Sequence, residues 1–166
     1  MELGLTFPLQ RFLKMKTPPY GAETDRRFCW DLHVIYLQGR CCLMAVHCYS
    51  RYSFVRCDVS PFQWADLPGL FLGGLTESLS AGGFASNQME AYLRQAEDIQ
   101  ITRTHGRREV AFLNRAWDDV LALDFCLDTS RQVQPLLDHG VNTRPSRCVG
   151  FEGLGTGLER MRELLK

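Results

Sequence analysis

The chain has 166 residues with 19 basic and 19 acidic side chains, so its formal net charge is zero. This length suits one domain that can bury a hydrophobic core without metals or disulfides. Zero net charge argues against a protein that grips nucleic acid mainly by charge, and equally against an acidic mimic of DNA. No apolar run approaches the ~20 residues that span a bilayer, and no signal-peptide pattern is visible, so the sequence predicts a cytoplasmic protein without membrane contact.

The first 27 residues predict a strand, a short helix and a loop. Met1–Phe7 alternates apolar with other residues, which indicates an edge strand. Pro8 suits the first turn of a short helix over residues 8–16. Thr17–Arg27 is polar and marked by prolines, so we expect a surface connector.

The stretch Phe28–Val59 is the part around which the fold is organised. It combines high β-propensity with no proline, and two turn-like tripeptides, Gln38-Gly39-Arg40 and Tyr49-Ser50-Arg51, divide it. The pattern predicts a three-stranded antiparallel meander. In its first strand, Trp30 lies on a uniformly apolar face and His33 on the opposite one, because side chains alternate with period two.

After residue 66 the apolar spacing changes to the helical period. The sequence predicts an α+β fold, a single domain over residues 1–166, in which helices cover an antiparallel sheet of about four to five strands with the meander at its centre. The predicted elements of this part are a helix from Asp66 to Gly82-Gly83, a helix opened by Ser86, a strand Ile99–Arg103, the longest helix at about 107–127, a short helix Ser130–His139 and a terminal helix Leu158–Lys166.

The seven cysteines show no C-x-x-C pair and no zinc-type spacing with histidine. His47 and Cys48 could join Cys29 or Cys57 across the sheet, but reduced thiols that fill the core are the common case in a cytosolic protein. The sequence therefore predicts no metal site, and it contains no cofactor motif.

The order and spacing of five short motifs in this sequence resemble those of an uncharacterised family of bacterial and phage proteins. That family is known only as a domain of unknown function. The resemblance covers roughly Phe28–Asp124 and implies an α+β fold and carriage by phages and mobile elements, but no known activity. His105-Gly106 replace an asparagine pair of that family, and Arg115 stands where the family has an acid. The matching features are Trp30, Arg40, Leu67-Pro68, Thr104-x-x-Arg107 and Leu113-Asn114.

An enzyme is the first of three functional hypotheses, and the sequence argues against it. No local motif places a nucleophile, a base and an orienting acid together. Asp118 and Asp119 are adjacent on a predicted helix, so their side chains diverge and cannot easily share a ligand. A hydrolase with an unrecognised site remains the weaker alternative.

Nucleic-acid binding is the second hypothesis, and it rests on arginines near the start of the longest helix. A helix N-terminus attracts anions, and cationic side chains in its first turn call for a compensating partner. Ion pairs with nearby acidic side chains are a simpler way to compensate these positive charges than a bound nucleic acid. The arginines are Arg103, Arg107, Arg108 and Arg115.

The third hypothesis, a non-enzymatic protein-binding module, is the one we favour. Aromatic residues in predicted loops (Tyr20, Phe62 and Trp64) suit an interface, and the resemblance suggests an inhibitor of a host defence complex, similar in role to an anti-CRISPR protein. The expected partner is a host protein complex. The candidate binding residues are Trp30, His33, Arg40, Trp64, Arg103, Arg107, Arg108, Asn114 and Arg115.

Overall fold

A computed structural model describes residues 1–96 and 98–166 and has an α+β architecture. Among these residues no helix has the length and apolar character to cross a bilayer. The elements are β1 (Glu2–Leu5), α1 (Phe7–Phe12), β2 (Cys29–Leu37), β3 (Arg40–His47), β4 (Ser53–Cys57), α2 (Pro61–Ala65), α3 (Leu67–Ala81), α4 (Ser86–Gln95), β5 (Gln100–Arg103), α5 (Arg107–Ala122), α6 (Pro135–Asn142) and α7 (Gly157–Leu164).

The five strands form one mixed sheet in the order β4-β3-β2-β1-β5. The meander is confirmed, because β2, β3 and β4 pair antiparallel in sequence order. The sheet as a whole is not antiparallel, however. β1 runs parallel to both of its neighbours, with Glu2 opposite Cys29 on one side and Gln100 on the other.

The prediction of an edge strand at the N-terminus is wrong, because β1 lies inside the sheet and β5 forms the edge. Both neighbours of β1 are distant in sequence, and parallel pairing of this kind leaves no local turn pattern to read. All four residues of β1 are buried, as expected for an internal strand.

Helices cover both faces of the sheet and create two hydrophobic cores. Trp30 and Phe54 pack on one face against Phe71 of α3. Ile35 of β2 lies in the second core, together with Leu113 of α5. Alternate side chains of β2 therefore point into the two different cores. This explains why the residues on both faces of the strand are largely apolar.

Cys42 and Cys57 stand directly opposite each other on β3 and β4 and form a disulfide. The interpretation of every cysteine as a reduced thiol is therefore wrong for this pair. Cross-strand neighbours have closely spaced Cβ atoms, and the register of the hairpin decides which cysteines meet. The free cysteines are Cys29, Cys41, Cys48, Cys126 and Cys148.

Candidate functional site

An open apolar groove of about 440 Å³ lies beside the turn end of the meander. Its aromatic walls are Phe12, at the end of α1, and Trp64 of α2, whose ring centroids lie 4.9 Å apart in an edge-to-face arrangement. The side chain of Tyr36, near the end of β2, borders the groove and is 59% exposed. The remaining lining residues are Leu13, Cys41, Val59, Pro61 and Ala65.

The short helix α2 positions the groove's tryptophan and an exposed aromatic next to it. Ser60 and Gln63 form a capping box, in which the Ser60 hydroxyl accepts from the Gln63 N–H and the Gln63 amide oxygen accepts from the Ser60 N–H. The fixed helix turns Trp64 inward, where it is 7% exposed, and leaves Phe62 86% exposed. Large exposed aromatics beside an apolar groove are typical of interaction surfaces.

Two basic residues adjoin the lining residues of α1 in sequence. Arg11 and Lys14 flank Phe12 and Leu13, and neither forms an ion pair with the described acids. The Arg11 guanidinium lies over the Phe7 ring, 4.9 Å from its centroid. Arg40, in contrast, is paired with Asp58.

A second region consists of two clefts along α5, of about 340 and 560 Å³. Arg147 lines both of them, Arg115 lines the smaller and Arg108 the larger. None of these three arginines forms an ion pair among residues 1–96 and 98–166. Arg108 and Arg115 are two helical turns apart, so they lie on the same side of α5.

The predicted arginine cluster is only partly assembled by the fold. The guanidinium of Arg103 turns to the loop before β2, where it donates to the Pro18 carbonyl at 3.0 Å and stacks on the Tyr20 ring at 4.3 Å. Arg107 is exposed in the first turn of α5 but does not line either cleft. Arg147, from the loop after α6, is the member that the sequence analysis missed.

A third region is a buried polar cluster at the N-terminal end of β2, and its centre is His105. The imidazole is 2% exposed and lies between two carboxylates, with Nδ1 2.7 Å from Oδ1 of Asp31 and Nε2 3.2 Å from Oε2 of Glu2. The Sγ atom of Cys48 lies 3.5 Å from Nδ1. Cys29 completes the cluster on the Nε2 side, where it forms a compact set with Glu2 and His105.

These contacts change the protonation of the cluster. Burial alone lowers the pKa of His105, but hydrogen bonds and the charges of Asp31 and Cys29 outweigh burial and raise that pKa to about 10. Burial raises the pKa of Asp31, and the hydrogen bond and charge of His105 offset part of that shift. The higher pKa of His105 favours the imidazolium form, with each ring nitrogen facing a carboxylate.

Two glycines leave the space that the cluster needs. A Cβ atom at Gly4 would lie 2.2 Å from Oδ1 of Asp31 and 2.9 Å from Nδ1 of His105. A Cβ at Gly21 would lie 1.9 Å from Oε2 of Glu2. Gly4 sits inside β1, and an isolated glycine in a strand is the one sequence feature that could have indicated this close approach.

Three of the predicted binding residues have structural roles in the fold. Trp30 is fully buried and donates from Nε1 to the hydroxyl of Tyr92 at 3.0 Å. His33 is buried, and its Nδ1 lies 2.7 Å from the hydroxyl of Thr6. Arg40 is paired with Asp58. A role of these three residues in binding stays a prediction. Asn114 is exposed on α5 and Trp64 lines the groove.

Three of the residues considered for hydrolysis are Asp118, Asp119 and Cys48, and their surroundings differ. Asp119 accepts from Arg51 at 2.6 Å and from Arg144 at 3.1 Å, while Asp118 is exposed. Burial raises the pKa of the Cys48 thiol well above its ordinary value, with the charge of Asp31 adding to the effect. The thiolate is the reactive form of cysteine, so a raised pKa makes the buried Cys48 thiol a poor nucleophile.

A comparison with family models matches residues 2–153, a range that includes the groove and the buried cluster. The matching family is the domain of unknown function DUF6933. The chain belongs to this family. Membership of DUF6933 confirms the expectation that the chain is a domain of unknown function, and no curated protein matches it.

This DUF6933 chain therefore offers three arrangements with different chemical capacities. The groove can bury apolar side chains of a partner, the α5 clefts can bind anions, and the cluster around His105 can hold a proton or a metal ion. Of these three arrangements, the groove and the clefts are open at the surface, whereas the His105 side chain is buried.

Proposed function

We propose that this DUF6933 domain is a protein-binding module, and that its groove takes a short apolar segment of a partner protein that carries acidic residues beside the apolar ones. The observation that carries the proposal is the groove itself, an open apolar surface lined by the exposed ring of Tyr36, with the exposed Phe62 on the same short helix as the lining residue Trp64. Single exposed apolar side chains are common on protein surfaces, so it is their position at an apolar depression that points to an interface.

The charge around the groove supports an acidic partner segment. Arg11 and Lys14 flank two of the lining residues and lack acidic partners within the described part of the chain. Complementary charge at the border of an interface speeds association and selects partners, while the buried apolar contacts supply most of the affinity.

The partner class that we propose is a host complex, such as a CRISPR effector or another defence assembly. The support is the resemblance of the sequence to proteins carried by phages, together with a surface suited to protein binding. An inhibitor of this kind needs no catalytic residues, because occupying a surface of its target is sufficient.

The test is recovery of a stoichiometric partner from bacterial lysate by the tagged chain, repeated with surface variants. Tyr36→Ser changes an exposed side chain that lines the groove and should abolish recovery, and Phe62→Asp, which changes the exposed aromatic of α2 beside it, should weaken recovery. Phe125→Ala is the matched control, since Phe125 is 75% exposed but does not line the groove. Trp64→Ala is less suitable, because truncating a buried tryptophan costs about 3–5 kcal/mol of stability.

A random-peptide phage library gives an independent test that does not require the natural partner. The groove should enrich peptides with an aromatic or aliphatic anchor next to Asp or Glu. If the enriched peptides bind the Tyr36→Ser and Phe62→Asp variants with the same affinity as the wild type, the proposal is contradicted.

Nucleic-acid binding is a second candidate, and the α5 clefts favour it. Arg108, Arg115 and Arg147, which form no ion pair with the acids of residues 1–96 and 98–166, line two clefts that share Arg147. Asp118, Asp119 and Glu152 also line these clefts. If they contact phosphates, affinity for a labelled oligonucleotide should fall steeply with salt, and Arg115→Ala should reduce that salt dependence by about one phosphate contact. Arg131→Ala, an exposed arginine outside both clefts, is the control.

A further inference from the structure

We propose that Asp31, Cys48 and His105 form a binding site for a divalent transition-metal ion, with Zn²⁺ as the best match. Their ligand atoms all lie within 4.8 Å of one another. The three residues come from β2, from the residue after β3 and from the turn after β5, so the fold, and not a local motif, brings them together.

The donor set fits zinc in type and in spacing. One thiolate, one imidazole and one carboxylate are ligands that Zn²⁺ accepts in a tetrahedral arrangement. Donor atoms on a tetrahedral zinc ion lie about 3–4 Å apart, given bonds of about 2.0–2.3 Å. The Cys48 Sγ to His105 Nδ1 distance is 3.5 Å, and the His105 Nδ1 to Asp31 Oδ1 distance is 2.7 Å, so only a small separation of the latter pair is required.

An unsatisfied oxygen provides the independent indication of a ligand. Asp31 is 1% exposed, and its Oδ2 atom has no hydrogen-bond partner among residues 1–96 and 98–166. A buried carboxylate oxygen without a partner is costly, so such an atom calls for a bound group. Asp31 and Cys48 also line one tightly closed internal space with Glu109, whose Oε1 accepts from Arg26 at 3.2 Å.

On the opposite side of the imidazole, the contacts of Nε2 hold the ring so that Nδ1 faces the proposed metal site. Glu2 faces Nε2 of His105 and is itself held by the N–H groups of Ala22 and Glu23, at 2.7 and 2.9 Å. A carboxylate on the second ring nitrogen of a metal-binding histidine fixes the orientation of the ring and increases its basicity. We therefore assign the metal to Nδ1, and to Glu2 the role of a positioning residue.

The alternative set of Glu2, Cys29 and His105 is less suitable for a metal. Both oxygens of Glu2 already have hydrogen-bond partners, and the Cys29 thiol contacts the Asp25 carbonyl at 3.7 Å and Arg26 at 3.9 Å. Binding at Nδ1 would release two protons to the buffer, one from the Cys48 thiol and one from Nδ1.

The test is a titration of the full chain, stripped with a chelator, with Co²⁺ alone and with Zn²⁺ alone. We expect one Co²⁺ per chain with the absorption band of a thiolate-to-cobalt charge transfer, and displacement of that Co²⁺ by Zn²⁺. Cys48→Ser should remove the band. Cys148→Ser is the matched control, because Cys148 lines the same cavity but lies outside the ligand set, and it should retain the band.

Two further variants keep the test decisive if Cys48→Ser fails to fold, which circular dichroism would show. Asp31→Asn should weaken Zn²⁺ binding, and Glu2→Gln should weaken it about 10- to 100-fold in competition with a chelating dye. A folded wild-type chain without a saturable site would overturn the proposal. So would loss of the band in Cys29→Ser with its retention in Cys48→Ser, because the metal would then lie on the Nε2 side.

Discussion

Asp31 and His105 are 74 residues apart in sequence, and their side chains meet across strand β1 with Oδ1 and Nδ1 2.7 Å apart. The contact links the first strand of the meander to the turn that follows the edge strand. Gly4, in the strand between them, is what allows the two side chains to approach, because any Cβ there would overlap both.

Gly4→Ala should therefore destabilise the chain. The added methyl group has to displace a buried ion pair, and over-packing of a well-filled interior costs about 1–3 kcal/mol. Urea unfolding measures the change in the free energy of unfolding. Gly73→Ala is the control: its Cβ would meet only the flexible end of Arg56, and alanine is favoured over glycine in a helix by up to about 1 kcal/mol, so this variant should be neutral or more stable. Equal stability of Gly4→Ala and the wild type would contradict the packing around Asp31.

A second prediction concerns the pH dependence of stability through Asp138. Burial raises the pKa of Asp138 from 3.8 to about 8, although the Val55 N–H and the Ser78 hydroxyl oppose the shift. The folded state therefore binds this proton more tightly than the unfolded state. Its contribution is fully present below about pH 4 and is lost as pH rises through about 8, with a slope of up to about 1.4 kcal/mol per pH unit.

Asp138→Asn isolates this contribution, because the amide keeps an acceptor for Val55 and does not titrate. The difference in the free energy of unfolding between the variant and the wild type should shift in favour of the variant between about pH 5 and about pH 8. Parallel stability curves for the two proteins over that range would show that Asp138 does not hold its proton in the folded state.

A third prediction follows from the disulfide between Cys42 and Cys57. The denatured, unreduced chain should titrate as five free thiols, and the reduced chain as seven. The bridge joins residues 15 apart, and loops of this length correspond to about 3 kcal/mol of stabilisation. Cys42→Ser should lower the free energy of unfolding by up to about 3 kcal/mol. Cys126→Ser, which changes a free cysteine, should leave it unchanged. Seven titratable thiols without reduction would contradict the bridge.

The meander and the helices of the second half could be predicted because their sequence patterns involve residues that are close together in the chain. Period-two alternation and the turn at Gln38-Gly39 define β2 and β3, and helical spacing from Leu67 defines α3. The position of β1 could not be predicted, since its partners lie 27 and 98 residues further along the chain. Pairing over such separations depends on the whole topology.

The candidate sites follow the same division. Phe62 and Trp64 stood out in the sequence as aromatics of a predicted loop, but the structure places them on helix α2. Phe12 and Tyr36, which line the groove with Trp64, come from other elements. His105 lies in a turn with no neighbouring ligand residue, and only the fold brings Asp31 and Cys48 to it. Spacing rules for metal sites apply to ligands that are close in sequence, and here they are not.

The most direct measurement of the proposed protein-binding function is the affinity of a peptide selected on the wild-type chain, determined by fluorescence anisotropy for three proteins. We expect Tyr36→Ser to raise Kd at least about tenfold, which corresponds to about 1.4 kcal/mol, and Phe125→Ala to leave Kd unchanged. The same Kd for Tyr36→Ser and the wild type, with both proteins folded, would show that the groove is not the binding surface.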